Sequence, residues 1–437
     1  MRNGPTGKDA RDQRLIFAAQ GVRAVAYGYG AVLLGIDLHD RGLSRIDAGL
    51  VLGAVVAGSA LGLVVVGRIT DRIGRRRVYV AGYGILALAG VVVALSPWWW
   101  PIAVVALTGT LSAEGRDSGP FTAVEQAMLA TLSTGSRRLR GFGFYNAIAA
   151  AGGSLGALLA GGTGVLGASR GSDAFLLLVP LAVAGGTCAV RLSPKVELRG
   201  PTAAAVPALR GILPADPSTR RVVLRLSALF GVDSFGAGFT VQAFVAFWLS
   251  TRYDASAAVI GLLFFGLGLV QTASMLIAAR LGERFGLLST MVFTHLPSNA
   301  FLAAVAFAPS LPVAAALLVG RSALSEMDVP TRQAYVMALV PPGERVRAAS
   351  ATGIARYTTR PAGPVLAGLA QTVATGLPFL IAGTVKAAYD LVLWSWFRHV
   401  PLPEEPRAAD AVVRRPAVAA APRESPPGLD QPRASGP

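Results

Sequence analysis

Charged side chains in the middle of apolar stretches are the part of this sequence that could do chemistry. Arg23 lies in GVRAVAYGY and Asp233 in GVDSFGAGF. Glu125 lies in EQAML and Arg332 in RQAYV. In hydrocarbon such groups are costly and normally face a cavity or a partner of opposite sign. A carboxylate there can carry a proton if burial makes the charged form costly and a nearby cation engages it in only one state. Glu125 is the first choice for that role.

A second set sits close by. Glu114, Arg116 and Asp117 occur in AEGRDSGP, and Arg321, Glu326 and Asp328 precede Pro330. Pro120 and Pro330 are expected to kink their helices and free backbone carbonyls. Arg356 and Arg360 are four apart, on one helical face. Lys386 and Asp390, also four apart, are expected to neutralise each other. Apart from that couple, six interior cations (Arg23, Arg116, Arg321, Arg332, Arg356, Arg360) face six acids (Glu114, Asp117, Glu125, Asp233, Glu326, Asp328). Such balance points to an internal network more than to a strongly anion-selective cavity. The three histidines are scattered and suggest no metal site, and Cys188, the single cysteine, allows no disulfide within the chain. No nucleophile–His or metal-ligand cluster supports an enzyme.

The elements that hold these residues follow from composition. Hydrophobic residues make up 53% of the 437, charged residues 15%, and mean hydropathy is +0.54. A soluble domain has about a quarter charged, and a spanning helix needs about 20 mostly apolar residues. Twelve spans are predicted, at 15–37, 47–67, 78–96, 100–131, 139–166, 173–191, 222–250, 257–280, 288–308, 311–339, 346–373 and 377–397. The polar N-terminus runs straight into the first span, with no cleavable signal expected. Of 40 Lys and Arg, 29 fall in the N-tail, alternate loops, the linker and the C-tail, and only Arg41, Arg45, Arg170 and Arg252 fall in the other loops. This asymmetry places both termini inside, so the net charge of +16 reports orientation and not a nucleic-acid partner. The expected segments are a cytoplasmic N-tail (1–14), a six-helix bundle (15–191), a linker (192–221), a second six-helix bundle (222–398) and a disordered tail (399–437).

The halves repeat each other. GRITDRIGRRR at 67–77 recurs faintly as RLGERFG at 280–286: Arg68 maps on Arg280, Asp71 on Glu283, Arg72 on Arg284 and Gly74 on Gly286, each 212 residues on. The segments around Arg23 and Asp233 align at 210, and those around Glu125 and Arg332 at 207. The mapping swaps sign, Arg23 to Asp233 and Glu125 to Arg332.

Twelve spans in two halves, with Gly67, Asp71, Arg72, Gly74, Arg75 and Arg76 in register with G-x-x-x-D-R-x-G-R-R after span two, resemble the major facilitator superfamily over residues 14–398. The tenth-span segment RSALSEMDVPTRQAYVMAL resembles members described as drug or metabolite permeases. The resemblance implies an all-α membrane protein with twelve transmembrane helices in two pseudo-symmetric six-helix bundles. It implies that Asp71, with the arginines around it and the copy at Glu283 and Arg284, latches the halves in one state. The alternative is that these residues form a basic hairpin turn and nothing more. It also places helices one, four, seven and ten around a central cavity. On that view Arg23–Asp233 and Glu125–Arg332 are expected as ion pairs across the interface, the alternative being pairs within each half, such as Glu125 with Arg137 or Arg140. Tyr27, Tyr29, Tyr145, Phe239 and Tyr357 are candidate cavity aromatics.

The function implied is a secondary transporter of a small organic molecule, working by alternating access in the cytoplasmic (inner) membrane. It is expected to be monomeric and free of cofactors, with the proton gradient as energy source. Proton-coupled efflux, by antiport, is favoured. Helix five carries Gly152, Gly156, Gly161 and Gly162 of the glycine-rich pattern of drug–proton antiporters, with Ala157 and Ala160 replacing two of its residues. A small-residue packing stripe would read the same. The alternatives are an importer or facilitator of an anionic metabolite, and, from another class, a membrane sensor or enzyme that no longer transports.

Overall fold

The computed structural model describes residues 7–115, 119–132, 135–162, 171–197 and 213–400, which are helical and contain no strand. The first half holds α1 (Gly7–Asp40), α2 (Arg45–Ile73), α3 (Arg75–Leu95), α4 (Trp99–Ala106), α5 (Pro120–Leu132), α6 (Gly135–Gly161) and α7 (Leu178–Val190). The second holds α8 (Pro217–Gly238), α9 (Gln242–Tyr253), α10 (Ala257–Phe285), α11 (Leu287–Val305), α12 (Leu311–Ser325), α13 (Asp328–Leu339), α14 (Arg345–Thr359), α15 (Ala362–Val373) and α16 (Leu377–Phe397). Short 3-10 turns occupy Gly171–Leu177, Pro194–Glu197 and Pro342–Glu344.

The duplication read from the loop extends to the helix caps. Ser44 accepts from the Asp47 N–H at 3.1 Å to start α2, and Ser256, 212 residues on, accepts from Val259 at 3.5 Å to start α10. Such caps satisfy donors a helix start leaves unpaired. At the other end of these helices, Gly74 (φ 100°) and Gly286 (φ 84°), again 212 apart, turn the chain into α3 and α11. That backbone suits glycine and few other residues.

Four expected spans are not continuous helices. Span four is α4 and α5, separated at 107–119. Span seven is α8 and α9, span ten α12 and α13, and span eleven α14 and α15. Pro120 is the first residue of α5 and Pro330 lies in the first turn of α13. There a missing N–H costs nothing, so both prolines begin a helix, which corrects the expectation that they kink their helices in mid-course. Among the described residues eight segments are long and apolar enough to cross a membrane; spans four, ten and eleven fall outside that set as broken helices, and span nine, Leu287–Val305, is interrupted by Thr, His, Pro, Ser and Asn. α1 begins at Gly7, so residues 7–14 of the N-tail are helix, and Asp12 is buried, accepting from the Ser193 N–H at 3.1 Å. Most of the linker (198–212) and tail (401–437), with Arg116, Asp117 and the side chains of Asp71 and Arg137, lies outside the described residues.

Glycines let helices cross closely in both halves. A Cβ on Gly28 of α1 would sit 1.9 Å from the Gly153 carbonyl oxygen of α6, and one on Gly363 would sit 2.4 Å from Gly238 Cα. The halves are joined at the end where α1 turns into α2. There Arg45 donates to the Gln371 carbonyl at 2.7 Å, the Ala243 N–H to the Ala113 carbonyl at 3.1 Å, and a Cβ on Gly35 would meet the Ala243 oxygen at 2.2 Å.

Candidate functional site

In the first half, α1 and α5 bring Arg23 and Glu125 together. Arg23 Nη2 lies 2.7 Å and Nε 3.2 Å from the carboxylate, and both side chains are buried. Glu125 also accepts from Tyr79 at 2.6 Å and from Tyr145, so four donors converge on one carboxylate. Arg23 donates further to Gln20 and sits 5.0 Å over the Tyr27 ring and 5.5 Å over Phe121. A buried ion pair holds its charges only when the remaining hydrogen-bonding capacity is used. Here Gln20, Tyr79 and Tyr145 use it, and Tyr83 contacts the Tyr79 hydroxyl at 3.3 Å.

In the second half, α8 and α13 bring Asp233 and Arg332 to 3.1 Å. Arg332 also binds Asp328 at 2.7 Å, and Lys386 of α16 donates to Asp233. The expected pairs Arg23–Asp233 and Glu125–Arg332 are therefore not formed; each charge pairs inside its own half. The physical reason is neighbourhood. Helices one and four are adjacent within a bundle, as are seven and ten, so the sign swap keeps each pair complementary at home. Arg140, the within-half partner considered for Glu125, is exposed. The Lys386–Asp390 couple is also corrected. Lys386 goes to Asp233, while Asp390 takes His295 Nδ1 at 2.9 Å and Asn299 Nδ2 at 2.8 Å.

Among the described residues one ion pair crosses between the halves. Arg360, at the C-terminal cap of α14, donates to Glu114, both about a quarter exposed, beside a small cavity also lined by Ser59, Val241 and Tyr357. The Gly115 N–H donates to Gln242 Oε1 at 3.0 Å at the same level. Arg356, one turn from Arg360, and Arg321 of α12 each have a buried Nε without a hydrogen-bond partner, and both side chains are half-buried. Glu326 is half-buried and Asp328 buried.

The aromatic candidates divide. Tyr357 lines the cavity between the halves. Tyr27 and Tyr145 belong to the Arg23–Glu125 cluster. Tyr29 is removed from any cavity, since it is buried and donates to the Ala174 carbonyl at 2.7 Å, and Phe239 is buried against Phe235. Among the described residues no three His, Cys, Asp or Glu gather as a metal site.

The basic loop has a partner that the sequence did not reveal. Glu197, after α7, accepts from the Arg75 N–H at 2.7 Å and the Arg76 N–H at 2.9 Å at the start of α3. Arg75 is buried and reaches the Ala127 and Val196 carbonyls at 3.4 Å, while Arg68 and Arg72, with Glu283 and Arg284 of the copy, are exposed. The helix-five glycines are packing positions: a Cβ on Gly156 would meet the Val25 oxygen at 2.1 Å, and one on Gly152 would meet Ala24 Cβ at 2.7 Å.

Residues 16–251 and 226–424 match the sequence pattern of the Major Facilitator Superfamily. The chain is 25% identical over 422 residues to the uncharacterized membrane protein YJR124C of Saccharomyces cerevisiae, covering 89% of this chain and 94% of that one. Its fold resembles the inward open conformation of the xylose transporter XylE from E. coli, with TM-score 0.67 and 13% identity over 90% of this chain and 97% of that one. It also resembles the nucleoside transporter NupG, with TM-score 0.63 and 15% identity over 90% and 98%. At these identities the two structures bear on fold alone.

Proposed function

The chain belongs to the Major Facilitator Superfamily and is a multi-pass membrane transporter, and we propose that it couples movement of a small organic solute to protons that load at Glu125. The observation that carries this reading is the buried Arg23–Glu125 pair with its converging tyrosines. A proton on Glu125 cancels the charge that holds Arg23, leaving the guanidinium free to rearrange and α1 to move relative to α5. Exchange of that proton with either side requires the helices to part, which ties it to alternating access.

The basic loops support a topology with both termini cytoplasmic. The end closed by Arg45, Gln371 and the Glu114–Arg360 pair is then the outer one, and this conformer faces inward. Export was favoured by the glycine pattern of helix five, and the packing of Gly152 and Gly156 on α1 accounts for those residues without it. Uptake, as in a solved structural relative described as a D-xylose–proton symporter, fits the same site. A second reading, carriage of an organic anion, is favoured by the unpartnered Nε atoms of Arg321 and Arg356.

Purified protein in proteoliposomes, with an imposed pH gradient and a panel of sugars, nucleosides, lipophilic cations and organic anions, tests the proposal. Movement of a panel compound accompanied by proton flux supports it, and the sign of that flux separates symport from antiport. Solute movement with no proton flux contradicts it.

A further inference from the structure

The second-half cluster holds more buried ionisable side chains than the transport reading uses. Asp233, Asp328 and Asp390 supply three carboxylates, and Arg332 and Lys386 supply two fixed cations. Each of the five is at most 5% exposed. Lys386 and Arg332 are both spent on Asp233 and Asp328. Asp390, fully buried, has only His295 Nδ1, at 2.9 and 3.1 Å from its two oxygens, and the Asn299 amide at 2.8 Å. Tyr389 adds a neutral ring 6.1 Å from His295. Arg321 of α12 and Arg356 of α14 face the cluster electrostatically without hydrogen-bonding to its carboxylates. Counted by direct contact, three carboxylates against two cations leave one negative charge, and Arg356 offsets it only from beyond hydrogen-bonding distance. A buried carboxylate without a contacting cation is strongly disfavoured, and Asp390 with His295 Nδ1 at both oxygens, itself 3.2 Å from Asn299 Nδ2, is the pair of groups in contact that can share a proton.

We propose that His295 and Asp390 together hold one proton in this conformer, forming a proton-binding site in the second bundle separate from Glu125, with Lys386 as the group that displaces it. Lys386 and Asp390 are one turn apart on α16 and so share a face. When Lys386 leaves Asp233 it can take Asp390 as its counter-ion. The proton then departs to solvent, His295 is left neutral, and Arg356 is placed to replace Lys386 at Asp233. Charge is conserved at each step: one ammonium replaces one proton at Asp390, and one guanidinium replaces the ammonium at Asp233. The site itself is independent of the transport proposal, and its part in coupling rests on that proposal.

The chain has three histidines, so His39→Gln with His399→Gln leaves His295 alone. In lipid nanodiscs, nitrogen NMR of that imidazole and infrared detection of a protonated carboxyl, both followed against pH, read the proton wherever it resides. The expected result is an imidazolium signal, or a carboxylic acid band lost in Asp390→Asn, present at neutral pH and unchanged in Glu125→Gln. Lys386→Met should hold the proton to higher pH, by at least about one unit, because a cation near the site is gone. A neutral His295 with no protonated carboxyl from pH 5 to 9 would overturn the proposal, whether or not any variant folds. Loss of the signal in Glu125→Gln would overturn its separateness. Neither result depends on transport being observed.

Discussion

The Arg23 guanidinium and the Glu125 carboxylate lie 2.7 Å apart, 2% and 0% exposed, and the other half carries the same arrangement with signs reversed in Asp233 and Arg332. Removing one member of such a pair leaves a buried charge and costs about 3–5 kcal/mol. Arg23→Asp alone places two carboxylates together and should abolish the folded protein in detergent. Arg23→Asp with Glu125→Arg copies the second half and should recover most of the monodisperse yield and thermal stability. If the double variant is no better than the single, the pair is not the organising contact.

The Glu114–Arg360 bridge is partly exposed, so its contribution to stability should be small, about 0–1 kcal/mol. Its effect should fall on the balance of conformers, because it joins α14 to the segment after α4. Cys188 is the only native cysteine, so labelling is straightforward in a Cys188→Ser background. With a cysteine at His39, near Thr251 across the junction, Glu114→Gln should raise the labelling rate with an impermeant maleimide. An unchanged rate would exclude the bridge as a gate.

Glu197 satisfies two N–H groups at the start of α3 and places a negative charge at a helix N-terminus. Loss of that cap in Glu197→Ala should cost about 0.5–2 kcal/mol, seen as a lower melting temperature, and Glu197→Gln should recover part of it. Equal stability in all three proteins would contradict the capping role.

Gly28 and Gly153 meet at a distance that no side chain fits, whereas a Cβ on Gly84 of α3 would meet nothing within 4 Å. Gly28→Leu should therefore prevent α1 and α6 from seating and eliminate folded protein. Gly84→Ala should be tolerated or stabilising by up to about 1 kcal/mol. Size-exclusion profiles of the two variants decide this.

Much of the fold was legible because its signals are local. Apolar length marks spans, basic loops mark one side, and the 212-residue offset that aligned Arg68 with Arg280 also aligns the caps Ser44 with Ser256 and Gly74 with Gly286. The partners of the buried charges were not legible, because the repeat tells which positions are equivalent but not which helices touch. Equivalence of Arg23 and Asp233 leaves contact across the halves and pairing within each half both open, and the swap of sign preserves a pair inside each bundle. A usable signal was present in three polar couples four residues apart within spans: Tyr79 with Tyr83, His295 with Asn299, and Lys386 with Asp390. Each shares one helix face and serves its own bundle's network. Glu197 left no such trace, since its partners are backbone N–H groups of a helix more than a hundred residues earlier.

The central claim is that Glu125 carries the coupling proton, and Glu125→Gln in proteoliposomes tests it most directly. With a panel compound shown to be carried, the variant should keep solute exchange between the two sides while losing accumulation driven by a pH gradient. Accumulation at the wild-type level, still abolished by an uncoupler, would place the coupling proton elsewhere and contradict the account.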